Sequence, residues 1–268
     1  MHIAVSLKNS CRLLAGLAVL GLGYSGVALA DPIPSGWTCS GSCGALGANG
    51  VVTLSPTGDS SYEYVTTNGS SATAPLPTGA LGSETNGSTL ATPIFSATAG
   101  TALNFYFNFV TSDGAGFADY AWAELFNSAN DPVALLFTAR TEPTGSIVPG
   151  TGLPAPTAIL NPASVPIIPG GPAWSALGGS SGTCYSAGCG YTGWVDSSFT
   201  IAAAGNYYLE VGVTNWLDQE YDTGLAVDGV TVGGVPVGPA PTPEPSTLVL
   251  LGSALLGGAS AIKRRLTA

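Results

Sequence analysis

Histidine occurs once in these 268 residues, and basic side chains number only six. Their positions matter more than their count. His2, Lys8 and Arg12 open the chain and Lys263, Arg264 and Arg265 stand near its end, which leaves Arg140 as the one base between them. A body without histidine or lysine has no Ser-His-Asp or Cys-His relay, no Schiff-base amine and no histidine-ligated zinc or iron site. Against Arg140 stand fifteen Asp and Glu residues from Asp31 to Asp228, a formal charge of −14. Nucleic-acid binding depends on Lys and Arg displacing counterions from phosphates, so this balance excludes nucleic acid as a natural partner. A negatively charged bilayer surface is disfavoured on the same ground.

Long apolar runs are also missing, except at the two ends. Lys8 and Arg12 precede an uncharged stretch from Leu13 to Ala30 that closes with Ala28-Leu29-Ala30 before Asp31-Pro32. This pattern predicts a secretory signal peptide over residues 1–30, cut by signal peptidase after Ala30, with the small residues Ala28 and Ala30 framing the cleavage. A retained anchor fits those small residues less well. Cys11 precedes the apolar stretch and is expected to leave with it.

The other end reads Pro243-Glu244-Pro245-Ser246, then apolar residues from Thr247 to Ile262, then Lys263-Arg264-Arg265. A span normally takes about 20 apolar residues, so this helix is short, although snorkelling Lys and Arg heads stretch the fit. The basic stop stays on the cytoplasmic side and Pro-Glu-Pro lies at the outer face of the inner membrane. An ordinary tail anchor accounts for the apolar run and the bases but not for Pro-Glu-Pro. In this order the three parts, residues 243–268, resemble the sorting signal of PEP-CTERM proteins, the substrates of exosortase. The resemblance implies a transient inner-membrane intermediate whose tail is removed by a membrane-embedded cysteine transpeptidase, followed by release to the cell surface or extracellular matrix.

Between the signals, residues 31–232 are long enough for one sizeable domain. Leu103, Phe105, Phe107 and Phe109 alternate with Asn104, Tyr106 and Asn108, the period of a half-buried strand with an aromatic inner face. Tyr207, Leu209, Val211 and Val213 alternate in the same way with Tyr208, Glu210 and Thr214. Further strands are expected at 51–54, 62–66, 120–126, 133–139, 194–201 and 225–232, with turns at Asn68-Gly69 and Asn86-Gly87. No stretch of the body combines a helical period with caps. The expected fold is all-β, a two-sheet jelly-roll-like β-sandwich flanked by the signal peptide and the apolar C-terminal helix. Residues 141–172 hold eight prolines and little alternation, which reads as a strap over a sheet edge or a ligand lid. Residues 233–242, rich in Pro and Gly, read as an extended linker.

Four cysteines remain in the body, as Cys39-Ser-Gly-Ser-Cys43 and Cys184-Tyr-Ser-Ala-Gly-Cys189. Export to an oxidising compartment favours disulfides, and the glycine in each short loop favours local pairing over the two crossed alternatives. A four-cysteine metal site has spacers longer than the usual two-residue knuckle. Loop carboxylates suggest a structural calcium, with Asp113, Asp119, Asp222 and Asp228 as ligands; no other cofactor is expected. Asp218, Glu220 and Asp222 imitate the opening of an EF-hand loop, but Thr223 replaces its glycine and Gly229 its bidentate glutamate. Trp174, Tyr185, Tyr191, Trp194, Trp216 and Tyr221 lie in or beside loops, where they either stack on sugars or close the ends of the sandwich.

Several blocks of the body, Gly36 to Cys39, Val110 to Trp122, Phe137 to Thr141, Ser181 to Trp194 and Val213 to Gly229, resemble an uncharacterised family of PEP-CTERM exported proteins. That resemblance implies a single extracellular domain associated with exopolysaccharide and with biofilm or floc formation. It carries over no catalytic residues, and the chain is expected to be non-enzymatic. A carbohydrate-binding module is the alternative. A glycosidase needs two carboxylates about 5 to 9.5 Å apart, for which Glu124 and Glu210 are the candidates.

Overall fold

A computed structural model describes residues 32–238, and the structural statements that follow concern those residues. The expected signal peptide with Ala28 and Ala30, and the tail with Pro243, Glu244, Pro245, Lys263, Arg264 and Arg265, lie outside them. Seventeen strands follow in order: β1 (Thr38–Ser40), β2 (Ser42–Leu46), β3 (Tyr62–Thr66), β4 (Glu84–Ala91), β5 (Phe95–Ala97), β6 (Ala102–Thr111), β7 (Tyr120–Asn127), β8 (Pro132–Arg140), β9 (Ser146–Val148), β10 (Ile159–Asn161), β11 (Val165–Pro166), β12 (Ile168–Pro169), β13 (Gly190–Tyr191), β14 (Val195–Thr200), β15 (Gly205–Trp216), β16 (Thr223–Val232) and β17 (Val235–Pro236). Short 3₁₀ segments at Ala115–Phe117 and Ser175–Ser180, the latter kinked at Gly178, are the helical content of these residues. No helix among them is long and apolar enough to cross a membrane.

The strands form two large antiparallel sheets and a separate pair, β9 with β11. One runs β1-β4-β15-β7-β8, with β5 also on β15; the other runs β10-β14-β6-β16-β3-β2, with β13 on β6 and β17 on β16. Alternation on β6 sends Leu103, Phe105, Phe107 and Phe109 inward, against Ala121, Ala123 and Leu125 of β7 and Leu209, Val211 and Val213 of β15. Large rings on one sheet meet small alanines on the other, which lets the layers close without voids. Phe107 stacks on Phe137 of β8 at 3.8 Å between centroids and 8° between planes.

Both outer faces are partly roofed by loops. Over the β6 sheet, Trp174 packs with Tyr62, Tyr64, Val52 and Leu177, and its indole N–H donates to the Tyr62 hydroxyl at 3.0 Å. The ring rests on Gly224 of β16, where an added Cβ would lie 2.5 Å from the indole. Over the β7 sheet, Leu76, Leu81 and Leu153 cover Tyr120, Trp122 and Leu135.

Two expectations need correction. Residues 51–54 are not a strand; they hold a tight turn in which Asn49 and Val52 form an isolated bridge, because Val51 and Val52 serve the Trp174 cluster instead of a ladder. Asn86-Gly87 is not a turn but the middle of β4. Gly87 is required there by close approach, since a Cβ would sit 2.4 Å from the Val213 carbonyl, and the Asn86 amide donates to the carbonyls of Thr67 and Ser70. The proline-rich segment 141–172 contains short strands of its own: β9 pairs with β11, and β10 adds to the edge strand β14.

Candidate functional site

The β6–β7 connection, the β15–β16 connection and the loop closed by Cys184 and Cys189 meet at one end of the sandwich. Both local disulfides form, Cys39 with Cys43 and Cys184 with Cys189, at Cα separations of 6.1 and 5.7 Å. The second holds its loop against β6: the Tyr185 N–H donates to the Ser112 carbonyl at 3.0 Å and the Ala115 N–H to the Ala187 carbonyl at 2.9 Å. The Ser112 hydroxyl in turn donates to the Asp222 carbonyl at 2.7 Å, which ties in the β15–β16 connection. In that connection Leu217 and Tyr221 have φ of +79° and +57°, a left-handed backbone that is uncommon for side chains of this size.

These three loops enclose a cavity of about 120 Å³ lined by Asp113, Phe117, Tyr185, Asp218, Glu220 and Tyr221. The Tyr185 ring stands edge-on to Phe117 at 5.5 Å and tilted to Tyr221 at 5.1 Å. Asp113 is only 2% exposed; one carboxylate oxygen accepts the Gly114 N–H at 2.6 Å, and the other accepts nothing from the described residues. Burial, reinforced by Asp218 and opposed by the Gly114 N–H, pushes its pKa up to about 7. Asp119 lies behind it, fully enclosed, and accepts from the Trp216 N–H at 2.8 Å and the Thr223 hydroxyl at 2.5 Å. Its pKa is raised well above the usual carboxylate range by burial first and by Asp113 second. Arg140 is near but turned elsewhere, donating to the Ala118 and Thr151 carbonyls at 3.1 Å each and lying 4.8 Å over the Trp216 ring.

The four aspartates named for calcium do not form one cluster. Asp113 and Asp119 are neighbours, whereas Asp222 accepts from the Thr67 and Ser180 hydroxyls at 3.2 and 3.0 Å. Asp228 lies six residues further along β16, roughly 20 Å away at strand rise, where it accepts from Ser55, Thr57 and its neighbour Gly229. Among the described residues no group of three or more His, Cys, Asp or Glu side chains converges as metal ligands would.

A second arrangement sits on the outer face of the β7 sheet. Glu124 of β7 and Glu210 of β15 are direct cross-strand partners, so their Cβ atoms stand about 5 Å apart. Phe126 and Tyr208 stack beside them at 5.2 Å and 13°, and Trp122 lies over Gly212 on the other side. Glu124 is 1% exposed, and its Oε2 has no hydrogen-bond partner. Burial raises its pKa, opposed by Thr78 and reinforced by Glu210; burial also raises Glu210, opposed by the Thr89 hydroxyl. Beside Glu124 a cavity of about 220 Å³ is walled mainly by apolar residues, including Pro132, Val133 and Pro154.

The six aromatics named from the sequence divide accordingly. Tyr185 and Tyr221 are exposed in the end cavity, Trp174 is buried core, Tyr191 and Trp194 pack against that core, and Trp216 sits under Arg140. The one sequence signal that marks Phe117 is its place between Asp113 and Asp119 in a glycine-bearing loop.

No curated protein matches the sequence. Solved structures share it only faintly. The enzymatically active domain of bacteriophage CBA120 tailspike protein 4 is 11% identical over 74% of this chain with a TM-score of 0.33, and the chain spans 19% of that protein. The K1 cleaved adhesin domain of Lys-gingipain from Porphyromonas gingivalis W83 is 12% identical over 75% of the chain and 91% of its own length, TM-score 0.32. An exo-beta-agarase is 10% identical over 78% of the chain and 24% of its own length, TM-score 0.29. The tail is more specific: residues 241–265, which contain Pro-Glu-Pro, the apolar run and the basic stop, match the PEP-CTERM protein-sorting motif, so this is an exported chain bearing an exosortase sorting signal.

Proposed function

We propose that the chain is a non-enzymatic surface or extracellular-matrix protein, handed outward by exosortase and associated with exopolysaccharide. The observation that carries this reading is the sorting motif at residues 241–265, joined by a short Pro- and Gly-rich segment to a disulfide-braced β-sandwich. Such a body suits an oxidising compartment. We read the sandwich as a jelly roll. Its eight principal strands run β3-β16-β6-β14 in one sheet and β4-β15-β7-β8 in the other; among them every chain step changes sheets except the β7–β8 hairpin, as in two interleaved Greek keys.

Processing and association are tested together on native material. Intact-mass analysis of the protein from the cell surface is expected to lack the residues after the sorting motif, and the protein is expected to co-sediment with the host's own exopolysaccharide. Finding the apolar tail still attached to most molecules, or the protein free of polysaccharide, would sink the reading. A glycosidase remains the second reading because the register sets Glu124 opposite Glu210. It requires reducing-sugar release from that polysaccharide that vanishes in Glu124→Gln and Glu210→Gln.

A further inference from the structure

We infer that the end cavity binds a primary ammonium group carried on a sugar ring, that is, an amino-sugar unit whose nitrogen is not acylated. This rests on the polysaccharide reading and specifies what part of such a polymer the protein holds. The argument starts from charge. Asp113, Asp218 and Glu220 line one small space and no lining residue is basic. The single arginine of the described residues is committed to backbone carbonyls and to Trp216. Like charges so placed are held together only by the fold, and a cation entering the cavity relieves the repulsion.

The rings select the kind of cation. Phe117, Tyr185 and Tyr221 surround the same space, and aromatic faces attract an organic cation that has given up part of its water. A hard metal ion prefers six or more oxygens, whereas these carboxylates do not converge on one point. Asp113 selects further among organic cations. Asp113 is 2% exposed and lines the cavity, its second oxygen accepts no hydrogen bond from the described residues, and a primary ammonium brings three N–H groups where a quaternary one brings none. Size then limits the rest of the ligand. About 120 Å³ is room for roughly four waters, enough for the ammonium and the carbons next to it but not for a whole ring. The sugar therefore lies across the rim, where Tyr185 and Tyr221 are 49% and 37% exposed and offer flat faces to its C–H groups.

The loops are built to keep this geometry. The Cys184–Cys189 closure fixes Tyr185, and the left-handed backbone at Tyr221 turns that residue toward it. Strain of this kind persists where the surroundings over-determine it, commonly at ligand clamps.

The test uses the processed, oxidised protein and a glucosamine tetramer at pH 7.5, followed by calorimetry and tyrosine fluorescence. Binding is expected, at least tenfold weaker for the N-acetylated tetramer. Asp113→Asn, which keeps an acceptor for Gly114, and the rim change Glu220→Gln are each expected to weaken it at least fivefold without lowering the melting temperature. Absence of binding overturns the inference, as does equal binding of the acetylated tetramer. Tighter binding of tetramethylammonium, of trilysine or of calcium chloride, each blocked by Asp113→Asn, overturns it in favour of a quaternary amine, a protein partner or a metal. The matrix reading has a separate fate: if wild type and Asp113→Asn co-sediment equally with the host polysaccharide, the pocket inference fails and the matrix association stands. If the tetramer binds but the native protein never accompanies polysaccharide, the reverse holds.

Discussion

The end cavity and the sheet-face pair both gather carboxylates and aromatic rings, yet they are built in opposite ways. Glu124 and Glu210 sit in the regular register of two central strands, roofed by Pro154 and its neighbours, with Trp122 and the Phe126–Tyr208 stack filling the flanks. The end cavity is made of three connections, with its tyrosines half open to solvent. In the first, a charge is tolerated inside packing that the sheet needs. In the second, packing is sacrificed around charges that the sheet does not need, which is the usual mark of a surface that meets a ligand.

The sharpest way to break that contrast is to truncate one ring from each place. Trp122→Ala removes a buried indole that also donates to the Ala74 carbonyl at 2.9 Å, and is expected to lower unfolding free energy by about 3–5 kcal/mol. Tyr185→Ala is expected to cost under about 0.5 kcal/mol in the same urea titration. Comparable losses would make the cavity rings structural.

Disulfide removal gives the next effect. Closing a loop as short as either of these is worth about 2 kcal/mol in the chain-entropy account, so Cys39→Ser/Cys43→Ser and Cys184→Ser/Cys189→Ser are expected to lose similar stability. Only the second pair is expected to weaken glucosamine-tetramer binding. A smaller change in the opposite direction is expected at the sheet face. Glu124→Met replaces a buried carboxylate bearing an unpartnered oxygen by an apolar side chain of similar length, and is expected to raise stability at pH 8 by about 1 kcal/mol. A loss of stability there would show that Glu124 is satisfied by water or by a bound group.

Sheet architecture was readable because alternation is a local signal: Leu103 to Phe109 and Tyr207 to Val213 each declare an inner face without help from the rest of the chain. β4 was hidden because Asn86-Gly87 has turn chemistry, and only the Val213 carbonyl across the ladder requires a glycine at that point. The same limit applied to the site. Cysteine spacing was enough for the local disulfides, and the loop acids and tyrosines were visible as residues. Their meeting depended on hydrogen bonds such as Tyr185 to Ser112, which join positions 73 residues apart and leave no periodic trace. The cross-strand approach of Glu124 to Glu210 was equally invisible, since it is set by the register of β15 on β7.

The smallest effect follows from titration and separates the two places by pH. Asp113 has its pKa raised from 3.8 to about 7 by burial, and Glu63 on β3 from 4.5 to about 7 by burial and then by Asp228. Between the unfolded and folded values the folded chain holds a proton that the unfolded chain has released, so stability falls as pH rises through that window. Below about pH 4 the contribution is complete, and above about pH 7 it is lost. Acidification from pH 7.5 to 4.5 is therefore expected to raise the melting temperature by about 3 °C once solvent screening is allowed for, the reverse of a protein held by ion pairs. Asp113→Asn removes one of the several carboxyls raised by burial and is expected to make the slope shallower, whereas Tyr185→Ala leaves it unchanged. Glucosamine-tetramer binding is expected to run the other way, weakening as pH falls, because protonating Asp113 removes a charge that faces the ammonium together with Asp218 and Glu220. A melting temperature that dropped on acidification while binding held constant would mean that Asp113 is ionised throughout and that the cavity's repulsion is already neutralised by the fold.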